Sequence, residues 1–175
     1  MRYPNAVWQG AADANYSHFQ ITPKFIVVHI MQGSEAGTDA WFHNPRAIVS
    51  SHFGVSRRGI VEQYVDTNQE AYAEMAYNGV GISVEHEGYS GQHLSVQQVQ
   101  ADMKLFAWIA RAHRIPLVWR PNGLGASGVV SHGELGVSGG DHPYCPGEPI
   151  VTDIKAMLRI LGRRPTFPLK APYAG

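Results

Sequence analysis

Between Lys24 and Ile30 every residue is apolar and mostly β-branched except one, His29. A continuous run of this kind reads as a strand buried on both faces. An imidazole inside it is costly unless hydrogen bonds or a metal satisfy its nitrogens, so His29 starts as either a core histidine or a ligand. Residues 48–55 and 60–65 read as two further strands, joined at Arg57-Arg58-Gly59 by a hairpin turn signal. From 80 to 87, apolar Val80, Ile82 and Val84 alternate with Gly81, Ser83 and Glu85, the period of a half-buried strand that puts Glu85 opposite Ile82 and Val84. Short strands follow at 117–119 and 129–132.

Helical spacing is clearest over 96–113, where Val99, Met103, Phe106, Ala107 and Ala110 share a face and Ser95 with Gln98 makes a capping box. Thr38 or Asp39 is expected to cap a short helix carrying Trp41 and Phe42, stopped by Pro45. Residues 152–161 form a closing amphipathic helix ended by Gly162. Residues 133–148, rich in glycine with two prolines, read as a loop. Residues 1–23 are polar and punctuated, with Trp8, Tyr16 and Phe19 as surface anchors. The expected fold is α/β, a central mixed β-sheet flanked by helices. One domain is expected over 1–162, with a Pro-rich tail or linker at 163–175.

Composition narrows the function classes. Fourteen Lys and Arg balance fourteen Asp and Glu, so no net field steers the chain to nucleic acid. No apolar run approaches the ~20 residues of a membrane span, and no membrane insertion is expected. Met1-Arg2-Tyr3-Pro4-Asn5 lacks the apolar core of a secretory signal, which implies synthesis in the cytoplasm or removal of a leader. A single cysteine, Cys145, excludes an internal disulfide and leaves three roles: packing, reactive thiol or metal ligand. His29, His132 and Cys145 fall at or just past strand ends. Two imidazoles and a thiolate would leave zinc's fourth position open to water, the composition of a catalytic site. Their separations match no simple metal motif, so residue type alone leaves the question open.

Six segments occur in order: Val27-Val28-His29, Val49-Ser50-Ser51-His52-Phe53, Arg58-Gly59-Ile60-Val61-Glu62-Gln63-Tyr64-Val65, Ile82-Ser83-Val84-Glu85, Val130-Ser131-His132-Gly133-Glu134 and Tyr144-Cys145-Pro146-Gly147. Together, over residues 24–161, they resemble the zinc-dependent N-acetylmuramoyl-L-alanine amidases of type 2, a family that includes phage endolysins and is similar to the peptidoglycan recognition proteins. The resemblance implies Zn2+ bound by His29, His132 and Cys145, with Glu85 as general base. It implies a peptidoglycan substrate, cut between N-acetylmuramic acid and L-alanine of the stem peptide. The expected setting is a phage or prophage lysin working on the cell wall as a monomer. Two positions depart from the family pattern. Pro143 stands where many relatives place an oxyanion-stabilising side chain, which makes His142 the candidate replacement and Tyr144 a weaker one. Ser51 replaces the tyrosine some phage members use, which throws more weight on Glu85. His52, beside Ser51, is placed to reach the cleft and contact substrate or orient a ligand, Tyr72 and Asn78 fall where relatives line the substrate groove, and His86, facing away from Glu85, is expected to be structural. The alternatives are a muropeptide-binding module of the same fold and a cysteine hydrolase using Cys145. Retention of all three ligands and Glu85 argues against the binder, because such binders typically lose the metal cysteine.

Overall fold

A computed structural model describes residues 1–120 and 126–162. The apolar run becomes β3 (Phe25–Ile30), buried along its whole length. It lies between β7 (Gly81–His86) and β8 (Gly128–Ser131), parallel to both. β4 (Phe53–Val55) adds to β7 in parallel, β5 (Val61–Gln63) returns antiparallel through the expected hairpin, and β1 (Val7–Trp8) closes the edge parallel to β5. The six-stranded order is β1-β5-β4-β7-β3-β8, a mixed sheet as expected. β2 (Tyr16–Gln20) and β6 (Gln69–Ala71) form a separate antiparallel ribbon.

The pleat sorts the strands into two faces. Ile26, Val28, Ile82 and Val84 point to one face and are fully buried beneath α2 (Val96–His113) and α3 (Glu148–Gly162), which supply Leu105, Phe106, Ile109, Ile150, Ile154 and Met157. Truncating one such side chain to alanine typically costs ~2–5 kcal/mol. α2 begins at the expected capping box, with Ser95 Oγ accepting from Gln98 N and Gln98 Oε1 accepting from Ser95 N. The opposite face carries Phe25, Val27 and Val130 under Leu135, and beyond them the polar ends of the same strands. Among the described residues, no helix is long and apolar enough to cross a membrane.

Several boundaries differ from the sequence expectation. α1 (Glu35–Phe42) is capped by Ser34, whose Oγ accepts from Gly37 N at 3.2 Å, so Thr38 and Asp39 lie inside it. Glu35 in its first turn suits the positive end of the helix dipole. The strand expected at 48–55 is ordered as a ladder only from Phe53. Ile48 takes a left-handed φ of 50°, and the Ser51 hydroxyl donates to backbone carbonyls. The strand expected at 117–119 reduces to one bridge, Trp119 to Val129. The 133–148 loop is partly wound: a 3-10 segment, His132–Gly139, is broken at Gly136 and anchored by Glu134, which accepts from the Ser131 N–H and hydroxyl. α3 starts four residues early because proline, here Pro149, is tolerated in a first helical turn. At the N-terminus Tyr3 is the buried aromatic, whereas Trp8 and Phe19 stay exposed. The tail expected at 163–175 lies outside the described residues.

Candidate metal centre

His29 and Glu85 are register partners on β3 and β7, so their side chains share the face away from α2 and α3. His132 follows β8 directly and continues its alternation onto that face. Cys145 comes from the following loop, which folds back because Gly133 N donates to Cys145 O at 2.7 Å. A Cβ at Gly133 would lie 2.8 Å from Pro143 O and 3.0 Å from Cys145 O, so only glycine lets the loop close over His132. One nitrogen of each imidazole and the Cys145 sulfur then gather within 4.8 Å of one another. That is the right neighbourhood for a single ion bonded at ~2.0–2.3 Å.

The hydrogen bonds decide which nitrogens are free. His132 Nε2 lies 2.8 Å from Gly139 O, and a carbonyl only accepts, so Nε2 carries the proton and Nδ1 keeps its lone pair. His29 Nε2 faces Glu74 Oε1 at 3.3 Å, while its Nδ1 points to the cleft with Glu85 Oε1 at 3.8 Å. Burial, together with the charges of neighbouring histidines, lowers both imidazoles to about 3, so both are neutral at physiological pH and able to ligate. Burial, reinforced by Glu85, pushes the Cys145 thiol up to about 12. Burial, with Glu74 adding repulsion against the favourable His86, raises Glu85 to about 7, close to what a general base needs near neutrality. Its Oε2 is buried with no hydrogen-bond partner among the described residues. Two neutral imidazoles, one thiol and an unpartnered carboxylate oxygen are the donor set that a zinc ion and its water would complete.

These groups line a cleft of about 610 Å³ with His142 and Tyr144 on its rim. The His142 ring centroid is 4.7 Å from that of His132, so the loop brings His142 to the cluster. A second hollow of about 470 Å³ shares Gln32, Phe42, Val49 and Glu85 with the cleft and runs along α1 past Trp41. The residues expected to contact substrate stand elsewhere. His52 is fully buried, its Nε2 donating to Gln69 O and its Nδ1 accepting from Ser83 N, which leaves nothing to offer a ligand. Asn78 Oδ1 accepts from Ala73 N and Glu74 N, clamping a turn. Tyr72 adjoins it, its backbone N–H donating to Ser50 Oγ, and none of the three lines the cleft. His86 is structural, as expected. Sequence reasoning missed Glu74, a completely buried acid behind His29 whose carboxyl burial pushes well above the usual range. Glu74-Met75 sits in a turn without periodicity, so the sequence carries no signal for it.

A family model described as N-acetylmuramoyl-L-alanine amidase matches residues 19–148. The chain is 29% identical over 158 residues to N-acetylmuramoyl-L-alanine amidase A of Achromobacter lyticus, covering 83% of this chain and 88% of that protein. Its fold is similar to that of the endolysin amidase LysCS from Clostridium intestinale, with a TM-score of 0.68 at 15% identity over 90% of this chain and 97% of that one. It is similar also to the Staphylococcus aureus hydrolase AmiA solved with its ligand, with a TM-score of 0.66 at 13% identity over 93% and 86%. With three quarters of its length matched and the family's β-sheet carrying a His-His-Cys cluster, the chain belongs to the N-acetylmuramoyl-L-alanine amidase family.

Proposed function

We propose that this amidase cuts the amide between the lactyl group of N-acetylmuramic acid and L-alanine with a zinc ion held by His29, His132 and Cys145, and with Glu85 as the general base. The observation that carries the proposal is the meeting of two neutral imidazoles and one thiol beside an unpartnered Glu85 oxygen. Bound there, zinc would supply Lewis-acid polarisation of the carbonyl and a water acidified to a pKa near ~7. Glu85 takes the proton that water loses on attack and delivers it to the amide nitrogen as the C–N bond breaks, leaving a lactyl carboxylic acid and a free L-alanine amine. His142 lines the cleft beside His132, which supports it as the candidate donor to the tetrahedral oxyanion. All of these side chains come from one chain, which supports a monomer as the working unit, and we assign it to lysis of the bacterial wall.

Two observations weigh against the alternatives. A cysteine nucleophile needs a thiolate, and Cys145 is pushed up to about 12, with both neighbouring imidazoles held neutral. A mere binder has no use for a buried carboxyl raised to about 7 beside the ligands. The experiment is digestion of purified sacculi followed by mass spectrometry, with and without chelator. The expected products are glycan strands with intact lactyl groups and stem peptides with free L-alanine amino termini. Chelator abolishes their release, zinc restores it, and thiol alkylation of the metal-loaded enzyme spares it. Release that survives chelation and dies with alkylation would replace the zinc reading with the thiol one.

A further inference from the structure

Resting on the zinc assignment above, we propose that Glu74 is a positioning residue of the metal centre, fixing which nitrogen of His29 faces the cleft. Glu74 is fully buried and lies on the other side of the His29 ring from Glu85, with Oε1 3.3 Å from Nε2 while Glu85 Oε1 is 3.8 Å from Nδ1. A neutral imidazole has one N–H and one lone pair. An acceptor at Nε2 places the proton there, and the lone pair then sits on Nδ1, the nitrogen turned to the cleft. A cation drawing on Nδ1 makes the opposite N–H a better donor to the carboxyl oxygen behind it.

The surrounding chain is shaped to hold this one side chain. Asn78 Oδ1 accepts from Ala73 N at 3.0 Å and Glu74 N at 2.6 Å, and Met75 takes a left-handed φ of 51° so that the turn can follow. Beneath the carboxyl lies Gly81, where a Cβ would come within 3.1 Å of the Glu74 carboxyl carbon and 3.2 Å of Val27. His132 solves the same tautomer problem with a neutral partner, Gly139 O at 2.8 Å. The two ligands are therefore not equivalent. His29 is backed by a side chain and His132 by a peptide carbonyl, so the orientation of His29 is the one a substitution can release. Glu74 touches neither the cleft nor the reacting atoms, so its effect runs through His29.

The test uses the full chain as wild type, Glu74→Ala, Glu74→Met and Glu74→Gln. Zinc affinity is measured by competition with a chromophoric chelator, alongside the cobalt-substituted absorption spectrum and metal-free thermal unfolding. The expected result is a ~10- to 100-fold loss of zinc affinity in Glu74→Ala, with a shifted cobalt spectrum. Glu74→Met, which keeps most of the volume but offers no oxygen acceptor, decides should the alanine variant fail to fold, while Glu74→Gln, whose amide oxygen still accepts from Nε2, should lose less. In the variant that decides, a loss of at least fivefold supports the proposal and a smaller one overturns it. An unfolding midpoint that falls while affinity and cobalt spectrum stay at wild-type values also overturns it, since that is a purely structural role. If wild type itself fails to bind zinc, the zinc assignment falls first, and the two failures are told apart by that control.

Discussion

His29 and His86 sit one register step apart on neighbouring central strands, each buried and each beside an acid, yet they face opposite sides of the sheet and have opposite character. On the helix side His86 Nδ1 donates to His29 O at 2.9 Å and Nε2 donates to Asp102 at 3.0 Å. Donating from both nitrogens requires the charged imidazolium. Burial opposes that charge, but Asp102 on α2 outweighs it and raises the His86 pKa. On the cleft side His29 has only one filled nitrogen, stays neutral and keeps a lone pair on the nitrogen that faces Glu85. A packed helix closes the pair on one face, whereas on the other the free nitrogen of His29 lines the cleft. The same residue types thus serve architecture on one face and chemistry on the other. The discriminating feature is whether both ring nitrogens are satisfied within the fold.

The largest expected effect is on the open side. Glu85→Gln should lower kcat by ~10²- to 10⁴-fold with zinc content unchanged. Its metal-free form should melt no lower than wild type at pH 8, because the variant removes a buried ionised carboxyl. Steady-state kinetics with metal quantification and calorimetry check this, and a loss of activity that tracks loss of zinc would make Glu85 a structural residue like Asp102. On the closed side, Asp102→Ala should cost ~3–5 kcal/mol of stability by stranding a buried charge while zinc affinity holds. Because the His86 pKa is raised in the folded state, the pair's contribution is fully present below its ordinary value of 6.5 and fades as pH rises through the raised one. Denaturant unfolding should therefore show the deficit of Asp102→Ala largest near pH 6 and shrinking on the alkaline side. A deficit that grows with pH would refute a charged pair. The smallest effect belongs to His142→Ala, where kcat should fall by more than tenfold, or ~1.4 kcal/mol, at constant zinc content. A smaller loss would return His142 to being a rim residue.

Much of this arrangement was legible along the chain because it rests on short-range periodicity. The apolar run around His29, the alternation that turns Glu85 away from Ile82 and Val84, and the capping box of α2 each follow from neighbours in sequence. The resemblance carried the rest of the ligand set, since nothing local ties His132 or Cys145 to His29. What stayed hidden depends on distant partners. Glu74 acquires its meaning from a ring 45 positions away, and His52 is taken out of the groove by Ser83 and Gln69, which no pattern around it announces. β1 and β2 are short and largely exposed, so they lack the apolar alternation that marks a strand. Ser50, Ser51 and His52 are buried with side-chain hydrogen bonds in place of a ladder, which a hydrophobic count cannot distinguish from a strand.

The open side of the comparison is tested most directly by zinc-edge X-ray absorption on the active enzyme. The expected shell is one sulfur at ~2.3 Å and two imidazole nitrogens at ~2.0–2.1 Å, with one further light atom. A fully active, zinc-loaded enzyme whose shell contains no sulfur would contradict the assignment of Cys145 and, with it, the site as described.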